Sequence, residues 1–208
     1  MKAGMTTSQQ GSDDSRAVAE QLRELAGLAE RVAGEHSVQI AELAGLVYGT
    51  LTSGGKLLFC GNGGSAADSQ HLATEYVVRF RRNRQPFAAI SLTTDTSLLT
   101  AASNDYGFDR VFELQVRAHG RAGDVLFLHS TSGVSANLLA AARAASELGI
   151  VTVALLARGG GPLRDLVDRS IVVPTDLSAR AQEIHICIGH IVCDLVEARL
   201  AVEAGQDG

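Results

Sequence analysis

The stretch Lys56-Leu57-Leu58-Phe59-Cys60-Gly61-Asn62-Gly63-Gly64-Ser65 decides the fold. Residues 56–60 form a short apolar run without alternation, the pattern of a strand covered on both faces. The glycines that follow let backbone N–H groups come close to a ligand and open a helix whose dipole favours an anion. The spacing is neither G-x-G-x-x-G nor a Gly-Lys-Ser/Thr phosphate loop. Taken alone, such a turn is more often just a tight strand-to-helix connection.

Outward from this unit the texture repeats. Short apolar runs at 88–92, 124–129, 150–155 and 170–173 alternate with helical patterns at 66–78, 95–103, 110–119, 135–148 and 163–167, and a long helix is expected over 179–201. Alternation of this kind implies an α/β fold: a doubly wound, five-stranded parallel sheet flanked by helices. Upstream, Val18, Leu22, Leu25, Leu28 and Val32 recur at helical spacing. Ile40, Leu43, Leu46, Val47 and Leu51 repeat the pattern, so an N-terminal helical hairpin is expected. Residues 1–14 read as a polar, disordered tail and 15–204 as one domain. The apolar stripes of the hairpin suit sheet cover or subunit packing equally.

The chain has 208 residues, 46% hydrophobic and 20% charged, which excludes general disorder. Three Tyr, six Phe and no Trp leave little for stacking on nucleic-acid bases, and 18 Lys+Arg against 23 Asp+Glu give a net charge of -5. A nucleic-acid partner is therefore not expected, and the basic run at 79–84 reads as a solvated loop. Apolar runs are too short to span a bilayer. The odd set Cys60, Cys187 and Cys193 has no metal-finger spacing, so a reducing, cytoplasmic setting without a leader is expected.

In an open parallel sheet, ligands bind beyond the carboxyl ends of the strands. Directly after the run at 124–129 comes Ser130-Thr131-Ser132-Gly133-Val134-Ser135. One serine would suffice for a helix N-cap; four hydroxyls beside free helix N–H groups favour a phosphate monoester. His71 and Glu75, four apart on one helix, share a face and can pair as acid and base, bind a metal, or form a surface ion pair. Gln182, His185 and His190 stand in an apolar helix, where an imidazole without a partner is costly. A lone histidine there would be a satisfied core residue.

Phe59-Cys60-Gly61-Asn62-Gly63-Gly64-Ser65, Ser69-Gln70-His71 with Glu75, Ser103-Asn104-Asp105, Ser130-Thr131-Ser132-Gly133 and Gln182-Glu183-Ile184-His185 together resemble the sugar isomerase (SIS) domain family. Within it they are most similar to the phosphoheptose isomerases, which convert sedoheptulose 7-phosphate into an aldoheptose 7-phosphate. The resemblance implies a homotetramer with active sites where subunits meet. It places Asn62, Gly63, Gly64, Asn104 and Asp105 by the sugar, Ser130, Thr131, Ser132 and Ser135 on the phosphate, and Gln182 on the substrate. Glu75 and His190 match the acid–base pair, and His71, Glu75, Gln182 and His190 match a zinc site of some members.

Aldose–ketose isomerisation passes a proton between adjacent carbons through an enediol, which needs a base for the carbon-bound proton and a group for the oxygen proton. Glu75 suits the first, and His190 the second or the opening of the sugar ring. Ala179 stands where the phosphoheptose isomerases carry Asp, and Ala66-Ala67-Asp68 and residues 94–100 look more like a non-catalytic relative that binds the bacterial replication initiator. Such a scaffold, or an isomerase of a longer or shorter ketose phosphate, is the alternative. Retention of both Glu75 and His190 favours the enzyme.

Overall fold

The computed structural model describes residues 7–203. Its sheet has five parallel strands, β1 (Leu57–Gly61), β2 (Ala89–Ser91), β3 (Val125–Ser130), β4 (Val151–Leu156) and β5 (Arg169–Val172), in the order β2-β1-β3-β4-β5. Leu57 lies beside Val125 and Val125 beside Val151, so the central strands run in register. The chain winds outward in both directions from the β1/β3 boundary, and that boundary is the topological switch point where the loops after β1 and β3 diverge.

Period-two alternation divides the core. Leu57, Phe59, Val125, Phe127, Val153 and Leu155 face one layer, made by α1 (Thr7–Thr52), α2 (Gly64–Val77) and α7 (Ser178–Glu203). Leu58, Cys60, Leu126, Leu128, Ala154 and Leu156 face the other, with α3 (Thr96–Tyr106), α4 (Val111–His119), α5 (Ala136–Glu147) and α6 (Gly161–Leu166). Both sheet faces are therefore dry, as the unbroken apolar runs require.

The N-terminal hairpin is not formed. α1 is one helix of 46 residues, about 69 Å long at the usual rise. Polar Gly34-Glu35-His36-Ser37 looks like a turn, yet it contains no proline, and a glycine inside a helix costs only about 1 kcal/mol. The buried positions Leu28, Val32, Ile40, Ala44, Val47 and Leu51 stay in helical phase across it, with half-buried His36 filling the step between Val32 and Ile40. Of the expected tail at 1–14, residues 1–6 lie outside the described residues, and α1 begins at Thr7.

Candidate active site

Two loops meet at the switch point. After β1, Gly61 passes so close to the next turn that a Cβ there would stand 2.6 Å from the Ser65 carbonyl oxygen. A Cβ on Gly64 would strike the Gln182 carboxamide at 2.6 Å, so this glycine lets α7 close over the start of α2. After β3, Gly133 has φ 66° and lies against the Gly160 backbone, where any side chain would collide. The Asn62 and Asn137 carboxamides exchange hydrogen bonds of 3.0 and 2.9 Å, which lock the first loop to α5.

These loops enclose a small polar cavity of about 80 Å³, lined by Asn62, Ser65, Ser130, Thr131, Ser132, Ser135 and Gln182, with His129 beneath. The Ser130 hydroxyl accepts from the Gly133 N–H at 3.0 Å, and Thr131 bonds Ser178 at 3.2 Å. Ser135 occupies the N-cap of α5 but makes no side-chain capping bond. Its hydroxyl is thus not consumed by the local role that one serine would fill, and the α5 N-terminus adds its dipole to the cradle. Gln182 donates to Ser65 at 3.4 Å and belongs to this rim. It precedes His190 by eight residues, about 12 Å along α7.

A second cluster lies between α2 and α7. His71 Nε2 is 2.8 Å from His190 Nε2 and 3.2 Å from Glu75 Oε1. One ligand atom from each of the three lies within 4.8 Å of the others. Two imidazoles and a carboxylate are an appropriate donor set for a zinc ion with a fourth position open to a substrate oxygen. His71 is 51% exposed while the Glu75 side chain is 16% exposed, so the cluster opens to the surface on the His71 side. Burial, then the nearby His71 and Arg81, lower the His190 pKa, with Glu75 opposing.

Asn104 and Asp105 stand apart from the cradle lining, on α3, where Asn104 donates to Asp105 at 2.8 Å. His185 is a buried core histidine, its Nε2 bonded to the Leu156 carbonyl at 3.1 Å and its Nδ1 buried without a partner. Its neighbour His129, which nothing in the sequence of β3 distinguishes from a buried strand residue, packs against it at 6.2 Å between ring centroids. Burial pushes their pKa values down to about 4 and about 3. Asp68, one turn before His71, is a second residue beyond sequence reading. Burial raises its carboxyl to about 6, against the pull of His71, and its Oδ2 has no hydrogen-bond partner.

The SIS domain family model matches residues 20–157. The phosphoheptose isomerase of Roseiflexus sp. is 54% identical over 164 residues, 79% of this chain and 83% of the relative. That of Rhodospirillum rubrum is 51% identical over 167 residues, 80% and 89% of the two chains. Among solved structures, the phosphoheptose isomerase of Neisseria gonorrhoeae superposes with TM-score 0.83 at 43% identity, covering 88% of this chain and 98% of that one. The Francisella tularensis phosphoheptose isomerase gives TM-score 0.85 at 34% identity, with 88% and 97% covered. A glycine turn and a hydroxyl loop at the switch point, a His/Glu/His cluster on the flanking helices, and these likenesses agree: the chain belongs to the SIS domain family and, within it, to the phosphoheptose isomerases.

Proposed function

We propose that the chain interconverts sedoheptulose 7-phosphate and D-glycero-D-manno-heptose 7-phosphate. The observation that carries this reading is the convergence of Glu75 and His190, from two helices, on one open cluster in a fold that also builds a hydroxyl cradle. Ser130, Thr131, Ser132 and Ser135 hold the phosphate with the α5 N-terminus, and Asn62, Gly63, Gly64 and Gln182 line the path of the sugar. Asn104 and Asp105 are assigned to the sugar by resemblance alone. The Glu75 carboxylate takes the C1 proton of the ketose while the carbonyl oxygen on C2 gains a proton from His190, leaving a C1–C2 double bond. Returning the first proton to C2 and withdrawing one from the C1 hydroxyl yields the aldehyde. An imidazole, with an ordinary pKa of about 6.5, has both protonation states accessible near neutrality and can give or take the oxygen proton.

His71, Glu75 and His190 would hold a zinc ion, and Gln182, which the resemblance adds to that set, stays at the cradle rim; when bound, the ion would supply charge stabilisation to the enediolate oxygen. Gln182 at the cradle rim and His190 in the cluster are about 12 Å apart along α7, and the resemblance implies active sites shared between subunits. A homotetramer is supported by the apolar groove of about 270 Å³ between α1 and α7, lined by Val32, Ile40, Ile184, Ile188 and Leu195. Free Cys60, Cys187 and Cys193 suit a reducing cytoplasmic setting, and no described helix is long and apolar enough to cross a membrane. Incubation with sedoheptulose 7-phosphate, followed by proton NMR, is expected to reveal aldoheptose anomeric signals. A folded, zinc-supplied sample that leaves the ketose unchanged would overturn the assignment.

A further inference from the structure

The run Arg79-Phe80-Arg81-Arg82-Asn83-Arg84 is not a solvated loop throughout. Glu197 on α7, only 2% exposed, accepts hydrogen bonds from the backbone N–H groups of Phe80, Arg81 and Arg82 at 2.9, 2.8 and 2.8 Å. Arg84 Nε lies 3.1 Å from the same carboxylate. Burial alone would raise the Glu197 pKa; the three backbone donors and Arg84 outweigh it and hold the group below the ordinary glutamate value. The Arg84 guanidinium also donates to the carbonyl oxygens of Tyr76 and Glu75 at 2.8 and 2.6 Å. One carboxylate thus fastens the strap to α7, and one guanidinium fastens it to the last turn of α2.

Between these two fastenings the strap lays an aromatic face on the cluster. The Phe80 ring stacks on His190 with centroids 5.1 Å apart and planes 17° from parallel. His190 is otherwise met edge-on by His71, at 5.0 Å and 65°. A flat contact on one side and an edge on another leave the imidazole little freedom about its side-chain torsions. A half-exposed histidine on a single helix would not have that order by itself. The Glu75 backbone carbonyl is held by the same strap, so one element bears on the placement of both groups.

We propose that Phe80, held by the Glu197–Arg84 clasp, is a positioning residue that fixes the His190 ring opposite Glu75. The proposal rests on the reading that Glu75 and His190 are the acid–base pair. Phe80→Leu keeps the apolar bulk and removes the flat face; Phe80→Tyr keeps the ring. The Leu variant is expected to lose kcat by roughly tenfold or more, with KM within about twofold, and the Tyr variant to recover it. In histidine-labelled protein the His190 ring protons, shielded by the Phe80 ring, are expected to move downfield in Phe80→Leu and stay in place in Phe80→Tyr. An unchanged kcat in the Leu variant, a loss that tracks its unfolding midpoint, or failure of Tyr to rescue would overturn the role. If the unaltered protein leaves sedoheptulose 7-phosphate unconverted, the acid–base reading falls and the role with it, whereas conversion with no effect of Phe80→Leu removes the positioning role alone.

Discussion

The cradle comes from chain that is continuous at each of two strand ends, whereas the cluster needs His71 and His190, 119 positions apart, to meet across two helices. In the cradle the backbone does the positioning: Gly61, Gly64 and Gly133 stand where a side chain would collide, and the hydroxyls follow from the direction of β3. In the cluster the backbone only supplies helix faces, and contacts from a third segment, the strap at 79–84, set the geometry. A binding subsite can thus be written into a few consecutive residues. A proton-transfer site, with its tighter tolerance, is assembled from several elements and then braced.

The sharpest way to break this division of labour is at Glu75. Glu75→Gln keeps the size of the side chain and removes its basicity, and turnover is expected to fall by about 10²–10⁴ while the urea midpoint stays unchanged. Near-normal turnover would transfer the base role elsewhere. The cradle should respond differently. Removing hydroxyls from Ser132 and Ser135 together is expected to raise KM by roughly a hundredfold or more, since each hydrogen bond to a charged group contributes about 1.5–3 kcal/mol, with kcat much less affected. Equal losses in kcat and kcat/KM would place those serines in the transition state rather than in binding.

A smaller effect concerns His129 and His185, which underlie the cradle and are not used in proton transfer. Both are neutral when folded until the pH nears about 3 and about 4, whereas in the unfolded chain they take up protons near pH 6.5. Between those values the unfolded state binds more protons, so stability falls as pH drops from about 6.5 to about 4. Each histidine contributes at most about 1.4 kcal/mol per pH unit in that window. His129→Leu is expected to flatten the slope in urea titrations at pH 6.5, 5.5 and 4.5, and an unchanged slope would assign the acid sensitivity to other groups.

Much of the fold is legible because burial on both faces leaves uninterrupted apolar runs, and the five strands fall within a residue or two of their expected ends. Gly34-Glu35-His36-Ser37 reads as the turn of a hairpin because polarity on the exposed side of a helix looks like a turn unless the phase from Val32 to Ile40 is followed through it. The cradle was legible as a run of hydroxyls after a strand. Of the expected zinc set, His71, Glu75 and His190 meet, while Gln182 stands at the cradle rim against Gly64, a packing that spacing along one helix cannot reveal. The Glu197 clasp was illegible for the same reason: its partners are backbone N–H groups, which carry no residue-type signal. Arg84 read as solvated because a basic run is usually so; here its side chain is 10% exposed and paired.

The central claim is that Glu75 moves a carbon-bound proton. Its most direct test is isomerisation of sedoheptulose 7-phosphate in deuterium oxide, with the unaltered protein and Glu75→Gln in parallel, and deuterium read at C1 of the ketose and C2 of the aldose. Label entering both positions with the unaltered protein, and neither with Glu75→Gln, is the predicted result. Label entering at the normal rate with Glu75→Gln would contradict it.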